Sequence, residues 1–328
     1  MNRKLKSVLQ YLGMVILAAV LLWLSLRTIP DVEGTSRGQF IWQTWLRANK
    51  LDLLIMALVA MLSHLIRAYR WKMLLAPTGH KVSLGNSFLS LMIGYLVNLA
   101  VPRGGEISRC YNLLKLEKTP VEISFGTVVA ERMIDVLCLL ILIAISFFVE
   151  WDKLIAFIES LPISTGNADY TKIIIVGLLG LLVVAVAVYF FRKSERLKKI
   201  FAGFKDGLLS VFKLDHPWLF IGASIVIWLL YFVTSYFVIV AFPETEVLGM
   251  RAVLTLFAIG AIAMAAPLPG GAGSYHTLVP LGLVMLYNMP KGDAVAFVFI
   301  FHAWQTFIMI AAGVVSLAIS YWIIRWKR

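Results

Sequence analysis

The chain is short of charge and shorter still of the residues that usually carry enzymatic chemistry. Only 15% of its 328 residues are charged. Its two cysteines, Cys110 and Cys138, form no CxxC and no metal-ligand spacing, so neither redox nor zinc chemistry has support. No DxD, DDxxD or HExxH pattern occurs, and no ATP-binding motif. No long polar stretch interrupts the chain, which speaks against a separate water-soluble domain.

Apolar residues fill the space that charge leaves. They make up 60% of the sequence, and the mean hydropathy is +0.87. A soluble domain is about half apolar and a quarter charged, so the expected solvent is a bilayer. The net charge of +12 does not imply nucleic acid, because Lys and Arg gather at the ends of apolar runs, where the positive-inside rule and anionic headgroups place them. The expected fold is all-α and polytopic, one transmembrane domain over residues 1–328 in the plasma (bacterial inner) membrane. Segment 9–26 is too long for a cleaved leader and lacks a small-residue cleavage site, so it is expected to stay as an anchor.

Six runs are long enough to cross: 9–26, 51–68, 123–149, 173–191, 217–242 and 294–324. Two others are broken. Residues 84–101 end in a Pro/Gly turn followed by 106–117, and residues 252–267 end in "PLPGGAGSYH" followed by 276–287. Charge parity indicates how the broken runs sit. With both termini cytoplasmic, a full crossing by 84–101 would put "RKSERLKK" (192–199) outside, against the rule at its strongest signal. If 84–117 returns to the side it came from, the acidic 150–172 is external, and 192–216, with seven Lys and Arg, is cytoplasmic. The basic 27–50 fits only if "FIWQTWLR" (40–47) lies as an interfacial helix. The expectation is six full spans plus two oppositely oriented re-entrant hairpins, the pattern of an inverted pair around a midplane site. Eight plain spans is the competing architecture.

Candidate residues cluster at the breaks. In "AVPRGGEISR" (100–109), Arg103 and Arg109 offer guanidinium forks matched to phosphate oxygens. Gly104 and Gly105 permit close backbone approach or unusual dihedrals, Glu106 can pair with Arg109 or Arg132, and Tyr95 and Asn98 share a helix face aimed at the same region. A helix starting at 106 would add free amide N–H groups. The second turn offers Gly270, Gly271, Gly273, Ser274, Tyr275 and the titratable His276. Inside an apolar helix stand Glu131, Arg132 and Asp135; each such charge costs roughly 2.5–3.5 kcal/mol on insertion scales, so they are read as a coupling or ion-pair site facing a cavity. The plainer readings are interfacial anchors for Arg103 and Arg109 and a packing ion pair for 131–135. His302 and Gln305 carry less weight. His64, Arg67, Arg70 and Trp71 are read as an interfacial belt without chemistry.

"PRGGEISRCYNLLK" and "PLPGGAGSYH", in that order with the Glu131/Arg132/Asp135 helix between them, resemble the flippase-like transmembrane region of lysylphosphatidylglycerol synthases, over essentially the whole chain. The resemblance implies movement of an anionic lipid between leaflets, without the cytosolic synthase domain of the bifunctional relatives. Its basic turn corresponds to Arg103, Glu106 and Arg109, and its glycine turn to Gly270, Gly271 and Gly273. Where that pattern carries an acid, this chain has His276, which argues against a cationic headgroup.

The expected function is therefore a non-enzymatic, flippase- or scramblase-like transporter of an anionic phospholipid or polyisoprenyl-phosphate lipid, with no cofactor and no metal. Glu131, Asp135 and His276 are the candidates for ion coupling. Membrane lipids are the expected partners, nucleic acid is not, and a homo-oligomer or a separate lipid-modifying enzyme is admissible. The alternatives are an ion-coupled transporter of a small anionic solute and, behind it, a membrane enzyme acting on lipid phosphates. Topology is directly testable: in a cysteine-free background, Lys118→Cys is expected to react with impermeant maleimide only from the cytoplasmic face. Labelling from outside removes the first hairpin.

Overall fold

Helix follows helix through the computed structural model, which describes residues 23, 36–160, 195–265, 268 and 271–326. The elements in chain order are α1 (Arg37–Arg47), α2 (Lys50–Leu75), α3 (Leu84–Ala100), α4 (Gly104–Glu117), α5 (Val121–Val149), α6 (Trp151–Ser160), α7 (Glu195–Leu208), α8 (Pro217–Val240), α9 (Gly249–Ala265), α10 (Ser274–Tyr287) and α11 (Lys291–Trp326). No strand occurs among the described residues. The protein is an all-α polytopic membrane protein.

Four of the six expected crossings appear as helices long and apolar enough to span, within Lys50–Thr78, Val121–Val149, Pro217–Val240 and Lys291–Trp326. The other two, 9–26 and 173–191, lie outside the described residues. A fifth helix, Glu246–Met264, also has the length to cross, although the sequence assigns it to a hairpin arm. The 17-residue α3 reaches about 25 Å, short of the roughly 30 Å hydrocarbon core.

Local sequence explains the helix ends. Ser36 closes a capping box on α1, Asn49 caps α2, and Ser83 caps α3. Pro120 and Pro290 immediately precede α5 and α11, where a missing N–H costs nothing. Helix α1 runs directly before α2, and Arg47 at its end bridges Glu244 at 2.8 Å.

Each broken run folds as an antiparallel pair. At the tip of the first, Asn98 Oδ1 accepts from the Gly105 amide at 2.7 Å; midway, Asn112 donates to Ser90 Oγ at 3.0 Å; at the base, Glu117 accepts from the Ser83 amide at 3.0 Å and from Asn86 at 2.7 Å. Chain entry and exit thus sit together. A Cβ on Gly105 would strike the Gly94 carbonyl oxygen and come within 2.6 Å of the Asn98 amide, so these glycines set the helix separation. In the second pair, Ser274 Oγ donates to the Ala263 carbonyl at 2.8 Å, and Gly260 and Gly282 face Tyr275 and Ile259.

The two halves repeat one spacing. Eight residues, 76–83 and 241–248, separate α2 from α3 and α8 from α9. Arms of 17 and 14 residues follow in both halves. Each second arm ends in a left-handed residue, Lys118 (φ 60°) or Asn288 (φ 52°), two residues before a proline. The equivalent helices α2 and α8 run antiparallel: Asn49 N–H donates to Ala241 at one end, and Arg70 meets Ser224 at 3.1 Å at the other. A two-fold relating the halves must then lie across the helices rather than along them, the relation expected of an inverted repeat.

Close backbone contacts lock the rest. Gly126 of α5 and Gly207 of α7 cross so tightly that a Cβ on Gly126 would fall 2.9 Å from the Leu208 nitrogen, and Gly313 of α11 admits Leu96 of α3. Gly105→Ala is expected to cost about 1–3 kcal/mol through overpacking. Gly85→Ala, where a Cβ meets nothing within 4 Å, is expected to be neutral or stabilising. Thermal unfolding in detergent compares the two.

Candidate functional site

Glu131 is the centre of the site. It sits on α5, is fully buried, and accepts from Arg67 Nε at 2.7 Å and Arg109 Nη2 at 3.0 Å, with Arg70 Nη2 at 3.7 Å. One turn later Asp135 bonds Arg67 and accepts from Arg70 at 2.5 Å. Arg132, between them in sequence, turns outward to Glu106 at 3.2 Å and lies 3.8 Å from Asp135. Four guanidinium groups therefore face three carboxylates, leaving one positive charge in excess within this cluster.

The neighbours complete some of these groups and leave others open. Arg67 Nη1 donates to the Tyr231 hydroxyl at 2.9 Å, so all three of its nitrogens are engaged. The Arg109 guanidinium lies 4.7 Å over the Trp71 ring, and Trp71 donates to Thr127 at 2.9 Å. By contrast Arg109 Nε and Nη1, Arg132 Nε and Arg70 Nε have no partner. Buried donors without acceptors are costly, and charged ones more so. Arg109 and Arg132 line a recess with Leu91, Gly94, Tyr95, Asn98, Gly105 and Glu106, in which no space admits a water molecule.

The fold gathers several expected residues here and leaves others apart. Tyr95, Asn98, Gly105, Glu106, Arg109 and Arg132 border the one recess. Gly104 fits closely against Val97 and Val101, and Arg103 is exposed at the hairpin tip. The left-handed residue of that turn is Arg103 itself (φ 59°), while Gly104 and Gly105 are already helical. The glycines thus serve close packing, and the unusual dihedral falls on the arginine. The helix begins two residues earlier than the sequence suggests, and its first amides are occupied: Gly104 N–H binds Val101 O at 2.9 Å and Gly105 N–H binds Asn98.

Gly271, Gly273, Ser274, Tyr275 and His276 form a second group beside α9 and α11, and none of them lines that recess. Gly270 lies outside the described residues. Gly271 (φ 71°) and Gly273 (φ 92°) make the turn. His276 and His302, both buried, approach to 3.2 Å between ring nitrogens. Among the described residues, no three His, Cys, Asp or Glu side chains gather as a metal site.

Arg67 and Arg70, read in the sequence as an interfacial belt, are instead buried members of the cluster, and the His64 ring lies 4.7 Å from that of Tyr95, tilted by 51°. A signal for this was present. No Gly, Pro or Asn stops the helix between Ile66 and Pro77, so Arg70, beyond the expected end of the span, stays on the helical face of Ser63 and Arg67. Glu131→Gln is expected to destabilise the protein by about 3–5 kcal/mol, because three arginines lose a buried counter-charge. Pairing it with Arg109→Gln is expected to restore part of the loss in a double-mutant thermal series.

Comparison with known proteins fits this architecture. A UPF0104 membrane protein of Methanocaldococcus jannaschii is 32% identical over 109 residues, a stretch that spans 32% of this chain and 32% of that relative. A UPF0104 membrane protein of Methanothermobacter thermautotrophicus is 25% identical over an alignment covering 97% of this chain and 92% of its own length. No solved structure matches significantly. The family described as the lysylphosphatidylglycerol synthase TM region matches residues 8–313, with the arginine–carboxylate cluster and both hairpins inside that range, and the chain belongs to that family.

Proposed function

We propose that the protein transports an anionic lipid across a plasma membrane, without catalysis, and that the lipid phosphate is engaged by Arg109 and Arg132 with Arg103 at the mouth of the recess. Both termini are cytoplasmic in this reading, and each helical pair is a re-entrant hairpin with its tip inside the bilayer. The observation that carries it is the excess positive charge with unpartnered guanidinium N–H groups on Arg109 and Arg132, in the recess between the first hairpin and α5. A phosphate would supply both the missing charge and the missing acceptors.

The recess is shut in this conformation. Its weakest closure is the Glu106–Arg132 bridge, whose side chains are 20% and 39% exposed and which therefore contributes little to stability. Exchange of Glu106 for phosphate at Arg132 is the opening step we envisage. Arg67 and Arg70 stay bound to Glu131 and Asp135 and keep the floor rigid. A lipid is favoured over a soluble anion by an open apolar crevice of about 440 Å³ along α1 and α11, lined by Ile41, Trp42, Trp45, Phe299, Trp304 and Phe307, which suits an acyl chain.

The test is a leaflet-accessibility assay in proteoliposomes with fluorescent phosphatidylglycerol, phosphatidylcholine and a polyprenyl phosphate. Anionic lipids are expected to move and phosphatidylcholine to lag. Arg132→Gln and Arg109→Lys are each expected to slow movement about tenfold to hundredfold, since a hydrogen bond to a charged group is worth roughly 1.5–3 kcal/mol. Full-rate movement by the Arg103→Ala/Arg109→Ala double variant overturns the reading.

A further inference from the structure

The repeated spacing pairs residues across the halves in a way that exposes one chemical difference. Glu106 is the third residue of α4 and His276 the third of α10. Arg132 is the twelfth residue of α5 and His302 the twelfth of α11. Both equivalent pairs are in contact: Glu106–Arg132 at 3.2 Å and His276–His302 at 3.2 Å. Asp135 and Gln305 correspond by the same offset. The first half thus holds a permanent cation at the position where the second half holds an imidazole.

We propose that the His276–His302 pair takes up one proton and in that state forms a second anion subsite, the counterpart of Arg132, so that binding of an anionic headgroup is linked to proton uptake. The proposal rests on the transport reading for its role but not for its chemistry. In the neutral pair one ring donates N–H and the other accepts. The donor ring then carries no proton on its remote nitrogen, Nε2 of His302 or Nδ1 of His276 according to the tautomer. A proton added there makes that ring an imidazolium and strengthens the shared bond by charge assistance. A second proton would set two N–H groups against each other and break the bond. The pair therefore holds one extra proton, which it returns unchanged when the anion leaves.

The surroundings suit such a switch. Both imidazoles are buried, with ring centroids 4.6 Å apart. Phe299 of α11 lies 4.4 Å from His276. Among the described residues Tyr275 of α10 is a titratable neighbour, 5.4 Å from His302 and 6.5 Å from His276, and it is held between Phe301 of α11 and Gly260 of α9. Phe299 also lines the apolar crevice, so a headgroup at the pair would lie beside a place for its tail. Glu131 and Asp135, the other coupling candidates, are each bound by arginines.

The experiment is a pH titration of 15N-histidine resonances by solid-state NMR in vesicles of phosphatidylcholine and of phosphatidylglycerol, assigned with His276→Asn and His302→Gln. Exposed His216, outside the pair, serves as the internal reference. The pair is expected to titrate as one step, and its midpoint is expected to rise in phosphatidylglycerol by about one pH unit more than His216 does, equal to tenfold tighter anion binding by the protonated pair. Two independent steps, or no shift beyond that of His216, overturns the proposal even if lipid transport is seen. A shift in vesicles where no lipid crosses leaves the subsite standing and removes the transport reading instead.

Discussion

The constraint on which this structure depends is the cost of keeping Glu131 charged where no water reaches it. A carboxylate in that position survives only with counter-charges and donors at close range. Those come from two other helices, Arg67 and Arg70 on α2 and Arg109 on α4. Arg67 and Arg70 reach further, to Tyr231 and Ser224 of α8. One buried charge thereby fixes how the first hairpin sits against the helices of both halves. The same network sets four arginines against three carboxylates and so leaves one cation in excess.

The tight glycine contacts serve that network. With Gly94 against Gly105, the two arms approach closely enough for Asn98 to hold the start of α4, which directs Arg109 inward onto Trp71. The exposed Arg103 carries the left-handed dihedral of the turn, a conformation disfavoured for a side chain with a Cβ. Strain of this kind persists only where the surroundings impose it.

The repeated unit yields two hairpins of equal dimensions with unequal chemistry. In one half the equivalent contact is a salt bridge, and in the other it is a pair of histidines among aromatic rings. The two halves therefore differ in charge at this contact: a permanent cation stands in one and a titratable imidazole in the other.

Much of the fold was legible in the chain. Apolar run length, the two Pro/Gly interruptions and the placement of Lys and Arg depend on local composition against a bilayer of fixed thickness, and they pointed to the all-α polytopic class and the paired broken runs. The intramembrane charges at 131–135 were also legible, because charge in an apolar run is expensive wherever it packs. What partners those charges have was not. Arg67 and Arg70 lie beside a helix end in sequence and read as headgroup anchors, and the pairing of His276 with His302 spans 26 residues without a motif. Sequence by itself determined the all-α polytopic class, because composition and run length decide it. Tertiary structure alone decided which arginines are neutralised and which keep an open donor, because that depends on distances of a few ångströms between helices far apart in the chain.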